Sequence, residues 1–79
     1  MIRKILFFAS LREAAGTGEL QIDLPDGISI DTVWQQLSSD MQNLPGKVLC
    51  AVNQDYVELT HQLVDTDNEI AFFPPVTGG

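Results

Sequence analysis

The sequence predicts an α+β domain, a mixed β-sheet of about five strands covered on one face by one main helix. Three observations carry that prediction. A single segment places apolar residues at helical spacing over several turns, at Ile30, Val33, Trp34, Leu37 and Met41. Five shorter segments are continuously or alternately apolar and are bounded by Gly, Pro, Asn and Asp. With 79 residues the chain is too short for two cores, so the helical stripe has only the sheet to bury against.

Residues 3–9 form the first strand. Ile5, Leu6, Phe7 and Phe8 leave no polar side, which predicts burial on both faces. Ser10 and Glu13 have the spacing of a capping box, so residues 11–15 make a short helical turn stopped by Gly16 and Gly18. Glu19-Leu20-Gln21-Ile22-Asp23-Leu24 alternates strictly and predicts a second strand, hairpin-paired with the first, with Leu20, Ile22 and Leu24 inward. Pro25-Asp26-Gly27 is a turn. Ser29 is the N-cap of the long helix, Asp31 suits the positive end of its dipole, and Asn43, Pro45 and Gly46 end the segment. Trp34 lies on the apolar stripe and is read as a core aromatic rather than a ligand platform. Residues 48–52 form a third strand, Asn53-Gln54-Asp55 a turn and residues 56–59 a short fourth strand. After a solvated turn at residues 65–68, residues 69–73 form the last strand, ended by Pro74 and Pro75.

Composition narrows the function. Apolar residues make up 44% of the chain, above the range of disordered chains. Eleven acidic residues against four basic ones give a net charge of -7. Nucleic acid and anionic membrane surfaces, which need clustered Lys and Arg, are therefore not expected partners, whereas a protein with a basic face is steered inward. Cys50 is the one cysteine, so no internal disulfide is possible. The apolar run after the N-terminal basic pair is too short for a signal peptide, and no segment approaches the roughly 18 apolar residues of a membrane span. These features predict a cytoplasmic protein.

Side-chain chemistry is sparse. Cys50 lies within an apolar strand and reads as inert packing. His61 is the lone histidine and has no cysteine partner in sequence, so no metal site is expected. Asp65, Asp67 and Glu69 are spaced like alternate calcium ligands but lack the loop glycine and distal glutamate, and read as a solvated turn. Neither phosphate-binding glycine motif is present.

The C-terminal stretch is different. The chain divides into a folded domain, residues 1–75, and a flexible tail, residues 76–79. Pro74 and Pro75 lack backbone donors and hold the exit extended. Val76, Thr77, Gly78 and Gly79 then reach roughly 13 Å, and the glycines let the backbone thread a narrow tunnel. That arrangement suits delivery of the Gly79 carboxylate to another protein's catalytic groups. A carboxylate becomes an acyl donor once ATP converts it to an adenylate, and sulfur can then replace AMP to leave a thiocarboxylate. A Gly-Gly ending arises by chance in roughly one chain in 200, so its weight comes from the lack of any other site in the domain.

The ending Ile70-Ala71-Phe72-Phe73-Pro74-Pro75-Val76-Thr77-Gly78-Gly79 resembles that of the small subunits of molybdopterin synthase, the sulfur carriers of molybdenum cofactor synthesis. Leu6-Phe7-Phe8-Ala9 with Arg12-Glu13, and Ala51-Val52-Asn53-Gln54, extend the resemblance over the whole chain. The resemblance implies a ubiquitin-like β-grasp fold with the first and last strands parallel and central. It implies that an adenylyltransferase related to ubiquitin-activating enzymes uses ATP to adenylate Gly79, that a sulfur donor enzyme supplies sulfur, and that no cofactor is bound by this chain itself. It further implies a heterotetramer in which the large subunit holds cyclic pyranopterin monophosphate and supplies the catalytic residues, while this non-catalytic subunit donates sulfur to build the dithiolene. One departure is Thr66, where family members often have glycine between two aspartates; a φ > 0 requirement there would strain it.

Partner contacts are expected on the sheet face away from the helix, with Phe8, Phe73, Pro74 and Pro75 at the interface and Phe7, Phe72 and Trp34 in the core. The alternatives are a carrier for another pathway such as thiamin, a ubiquitin-like modifier conjugated to lysines, and a plain interaction module. The Phe-Phe-Pro-Pro-Val-Thr-Gly-Gly ending favours the pterin pathway.

Overall fold

Five strands and two helices make up the computed structural model, which describes residues 1–41 and 43–75. In chain order they are β1 (Ile2–Phe7), α1 (Ser10–Ala15), β2 (Glu19–Asp23), α2 (Ile30–Asp40), β3 (Leu49–Val52), β4 (Asp55–Val57) and β5 (Glu69–Phe73). The sheet order is β2-β1-β5-β3-β4. β1 and β5 are therefore central, and they pair in parallel, with Ile5 opposite Ile70 and Phe7 opposite Phe72. All other pairings are antiparallel. This is the β-grasp arrangement, with α2 as its main helix.

The strand period of two puts Ile5, Phe7, Ile70, Phe72, Cys50 and Val52 on one face, where they pack with Ile30, Val33, Trp34 and Leu37 of α2. The Trp34 ring lies 4.7 Å from that of Phe72, and its indole N–H donates to the Pro45 carbonyl at 2.9 Å. Burying a side chain such as Phe72 contributes roughly 1.5–3 kcal/mol each, so this shared face dominates stability.

The start of α2 is satisfied on several sides. Ser29 Oγ accepts from the Thr32 N–H at 3.2 Å, as expected of the N-cap. Two further amides at the helix start, those of Ile30 and Asp31, donate to the carbonyls of His61 and Leu59. The segment between β4 and β5 is thereby laced to the helix, and Leu63 is buried beneath it.

Several expectations need correction. β1 is buried on one face, because Arg3, Ile5 and Phe7 point inward while Ile2, Lys4 and Phe8 are exposed. The apolar residues on its other side belong to an open face. Ser10 is the first helical residue of α1, the N-cap is Ala9, and no side chain caps it, so the capping box does not form. Ala9 instead takes φ 53 and ψ -129, a conformation close to glycine's own territory. Gly16 does end α1 in the left-handed region, with its N–H on the carbonyls of Arg12 and Glu13.

The β3–β4 turn is the two residues Asn53 and Gln54, both at positive φ as a type I′ hairpin requires, so β4 starts at Asp55 and excludes Glu58 and Leu59. Thr66 is not among the positive-φ residues, and its carbonyl accepts from Asn53 Nδ2 at 2.9 Å. The turn is thus built without glycine's freedom. It is not fully solvated either, because Asp67 is buried. Among the described residues, no helix is long and apolar enough to cross a membrane.

Candidate functional site

The second face of the sheet has no helix over it. Register carries Ile2, Lys4 and Leu6 of β1, Glu69, Ala71 and Phe73 of β5, Leu49 and Ala51 of β3, and Tyr56 of β4 to this side. Lys4 pairs with Glu69 where β5 begins, and the aromatic residues Phe8, Tyr56 and Phe73 gather toward its end. Leu6, Phe8, Ala51, Gln54, Tyr56, Glu69, Ala71 and Phe73 line one pocket there.

Aromatic stacking organises the apolar end. The rings of Phe8 and Phe73 stack with centroids 4.8 Å apart and nearly parallel, with 4° between their planes, and Tyr56 tilts onto Phe73 at 5.7 Å. Phe8 is 41% exposed and Tyr56 73%. Large rings left in water in one contiguous cluster mark a contact surface. Phe7, Phe72 and Trp34 are buried on the opposite side, as alternation predicts.

The chain leaves the sheet at this same end. The Phe8 N–H donates to the Phe72 carbonyl at 3.2 Å, and Leu49 pairs with Phe73 on the other side. Pro74, half-buried, and Pro75, exposed, follow without N–H groups to extend either ladder. The Phe8 and Phe73 rings thus stack where β5 ends, and Pro74 and Pro75 follow Phe73 directly in the chain. Val76, Thr77, Gly78 and Gly79 lie outside the described residues.

Cys50, His61 and Asp67 serve the fold. Cys50 is 1% exposed, and burial pushes its thiol up to about 12, far from a reactive thiolate. His61 Nε2 meets Asp67 Oδ2 at 3.0 Å, and the same oxygen accepts the Val64 N–H at 3.0 Å. Desolvation pushes the Asp67 carboxyl up. The hydrogen bonds from His61 and Val64 and the charges of His61 and Arg3 outweigh it, so the carboxyl stays below its ordinary value. Among the described residues, no three His, Cys, Asp or Glu side chains come together as a metal site.

Two features escape a reading of the sequence. Arg3 is one; its side chain has no exposed surface, and it donates to the carbonyls of Leu24, Val64 and Asp67 and to Asp26 Oδ1. The only available signal was its inward place in the alternation Arg3, Ile5, Phe7. The other is Tyr56, whose contact with Phe73 requires a strand order that periodicity does not supply.

Comparison with known proteins agrees with this geometry. Residues 5–79 match the ThiS family. The chain is 46% identical to the molybdopterin synthase sulfur carrier subunit of Escherichia coli strain K12, covering 96% of this chain and 98% of that one. It is 31% identical to the human protein of that name, covering 96% and 92%. Among solved structures it is similar to one from Pyrococcus furiosus, provisionally described as molybdopterin converting factor subunit 1. That likeness has a TM-score of 0.80 at 26% identity, over 96% of this chain and 99% of that one.

Proposed function

The chain belongs to the ThiS family, and we propose that it is the sulfur carrier subunit of a molybdopterin synthase, with the Gly79 carboxylate as its working group. One observation carries the reading. The central strand β5 ends at Phe73 beside an uncovered aromatic face, and the sequence continues from there through Pro74 and Pro75 to Val76-Thr77-Gly78-Gly79. The aromatic face lies on the side of the sheet away from the core.

The carboxylate attacks the α-phosphorus of ATP on an activating adenylyltransferase, releasing pyrophosphate and leaving an acyl-adenylate. A persulfide on a donor enzyme attacks the acyl carbon and displaces AMP to give an acyl disulfide, and a thiol then attacks the donor's sulfur, forming a disulfide with it and releasing the terminal thiocarboxylate. Val76, Thr77 and Gly78 thread the arm into the large synthase subunit. That subunit supplies the catalytic residues and holds cyclic pyranopterin monophosphate, and two such transfers complete the dithiolene. ATP is consumed on the activating enzyme and is not a resident cofactor of this chain. Phe8, Phe73, Pro74 and Pro75 contact the large subunit in a heterotetramer. The same reading puts the protein in the cytoplasm, in keeping with its lone buried thiol.

Intact-mass measurement after incubation with the activating enzyme, ATP and a sulfur donor tests this. The chain is expected to gain the mass difference between sulfur and oxygen, and a chain lacking Gly79 is expected to fold and gain nothing. Ladders of covalent conjugates would instead indicate a protein modifier. No change in mass would remove the carrier reading.

A further inference from the structure

β2 is an edge strand, and the bonding of its inner side fixes which of its groups face out. The Phe7 N–H donates to the Gly18 carbonyl at 3.0 Å and the Leu24 N–H to the Met1 carbonyl at 2.9 Å. With the register of β1 and β2, this makes Leu20 and Ile22 the residues that bond to β1. The backbone groups of Glu19, Gln21 and Asp23 therefore point away from the sheet. Thr17 Oγ1 takes up those of Glu19, accepting its N–H at 3.3 Å and donating to its carbonyl at 3.0 Å. Among the described residues, no strand pairs with those of Gln21 and Asp23.

Edges are ordinarily protected by a proline, a bulge, a lysine or brevity. β2 has none of these, since Glu19–Asp23 pairs with β1 in unbroken register. The opposite edge, β4, is only 3 residues long. Charge is what guards β2. A second copy paired antiparallel about Gln21 would set Glu19 opposite Asp23 on both sides, and like charges directly opposite destabilise a pairing. The same two carboxylates favour a strand that carries Lys or Arg there. Asp23 also holds the N-terminal ammonium at 2.7 Å. Glu19 has no ion pair among the described residues, and Lys4 faces Gln21 from β1.

Between β2 and α2 lies a crevice of about 60 Å³, with Ile22, Leu24, Val33 and Leu37 as apolar walls and the exposed Gln36 and Asp40 beside them. That is room for about two waters at roughly 30 Å³ each, or for the end of one aliphatic side chain. Alternation on an added strand sends the side chains opposite Leu20 and Ile22 toward this crevice, and those opposite Glu19, Gln21 and Asp23 to the open face.

We propose that the outer edge of β2 receives an extended segment of a partner protein as an added strand. Lys or Arg lies opposite Glu19 and Asp23, and aliphatic residues lie opposite Leu20 and Ile22. This surface goes beyond the carrier reading and does not depend on it, because β1 separates β2 from β5.

The probe is a capped peptide, Thr-Lys-Val-Thr-Ile-Lys-Thr, titrated into the isotope-labelled full chain and followed by amide chemical shifts. Its pattern reads the same in either direction. Saturable shifts centred on Gln21, Asp23, Gln36 and Asp40 are expected, with slowed exchange of the Gln21 and Asp23 amides. Replacing the peptide's Val and Ile by Ser is expected to weaken Kd by about 10-fold or more. Gln21→Pro removes an outward N–H without touching a bond to β1, a place where edge strands tolerate proline, and is expected to weaken Kd by about 10-fold. Glu19→Lys, on an exposed side chain, is expected to weaken it by about 3-fold or more. Melting curves report whether Gln21→Pro folds; if it does not, Glu19→Lys and the Ser peptide decide the matter. Absence of shifts at millimolar peptide, or shifts centred on Phe8, Tyr56 and Phe73 instead, overturns the proposal. So does a Kd unchanged by Glu19→Lys, by the Ser peptide or by a folded Gln21→Pro.

Discussion

Replacing Arg3 by alanine removes the hub that ties β1 to both ends of the molecule's loops. Its guanidinium donates to the Leu24 carbonyl at 3.1 Å, the Val64 carbonyl at 2.8 Å, the Asp67 carbonyl at 2.6 Å and Asp26 Oδ1 at 2.6 Å. These acceptors do not count equally. The Asp26 side chain is 58% exposed and rehydrates once the arginine is gone, so the ion pair itself contributes little. Val64 is exposed enough for water to reach its carbonyl. The bonds to Leu24 and Asp67 are buried, and each abandoned carbonyl there costs about 1–3 kcal/mol. Adding the lost packing of a fully buried side chain brings the expected loss to about 3–5 kcal/mol. A chain of this length has roughly 4–12 kcal/mol in total, so the variant is left near the edge of folding.

Urea denaturation at neutral pH followed by Trp34 fluorescence measures this, since Trp34 is buried and becomes solvated on unfolding. With a urea slope of roughly 1–3 kcal/mol per molar, the midpoint is expected to fall by about 2 M. Arg3→Lys keeps a charge but not the planar fork of donors, and it is expected to lose about half as much. A midpoint shift under about 0.5 M for Arg3→Ala, with the slope unchanged, would refute the assignment of Arg3 as a hub.

Two further perturbations have definite signs. Asp67 has its carboxyl lowered in the fold, so its ionised form stabilises the native state above the ordinary carboxylate range, and that contribution disappears as pH falls through the folded value. Urea midpoints measured from pH 6 downward are expected to drop less steeply for Asp67→Asn than for wild type; parallel curves would exclude the linkage. Ala9, at φ 53 and ψ -129, is held where a Cβ is unfavourable. Ala9→Gly is expected to stabilise by about 1 kcal/mol, read as a rise in Tm of roughly 4–8 °C, whereas a lower Tm would show that Ala9 is unstrained.

The helix and the five strands were legible because each carries its own period. Ser29, Ile30, Val33, Trp34 and Leu37 specify where α2 starts and which side it buries without reference to any distant residue. Periodicity failed for β1, where residues 5–8 are all apolar. A run of that kind looks the same whether its second face meets a core or an open contact surface. Arg3 was missed for a related reason. Its partners lie 21 to 64 residues away and three of the four are backbone carbonyls, which have no signature in a sequence. The capping box failed because Ala9 accepts a strained backbone and lets the helix begin one residue early, leaving Ser10 inside the first turn. Cys50 is buried in β3, as its apolar strand predicts, whereas the pairing of His61 with Asp67 depends on a turn geometry that the sequence does not spell out.

Why the carrier reading puts its working group after β5, and not after another strand, follows from the hydrogen bonding. Among the five strands only β1, β5 and β3 have neighbours on both sides, and β5 lies at the middle of the sheet. Its flanks are held by β1 in parallel and β3 in antiparallel register up to Phe72 and Phe73. An arm rooted on an edge strand would fray with it, because half of an edge strand's backbone groups bond only to water. Rooted on the middle strand, it starts from a fixed point. Two prolines then end the ladder within one step, since neither can donate to a neighbour. The paired part of β5 therefore ends sharply at Phe73, whose ring stacks on that of Phe8.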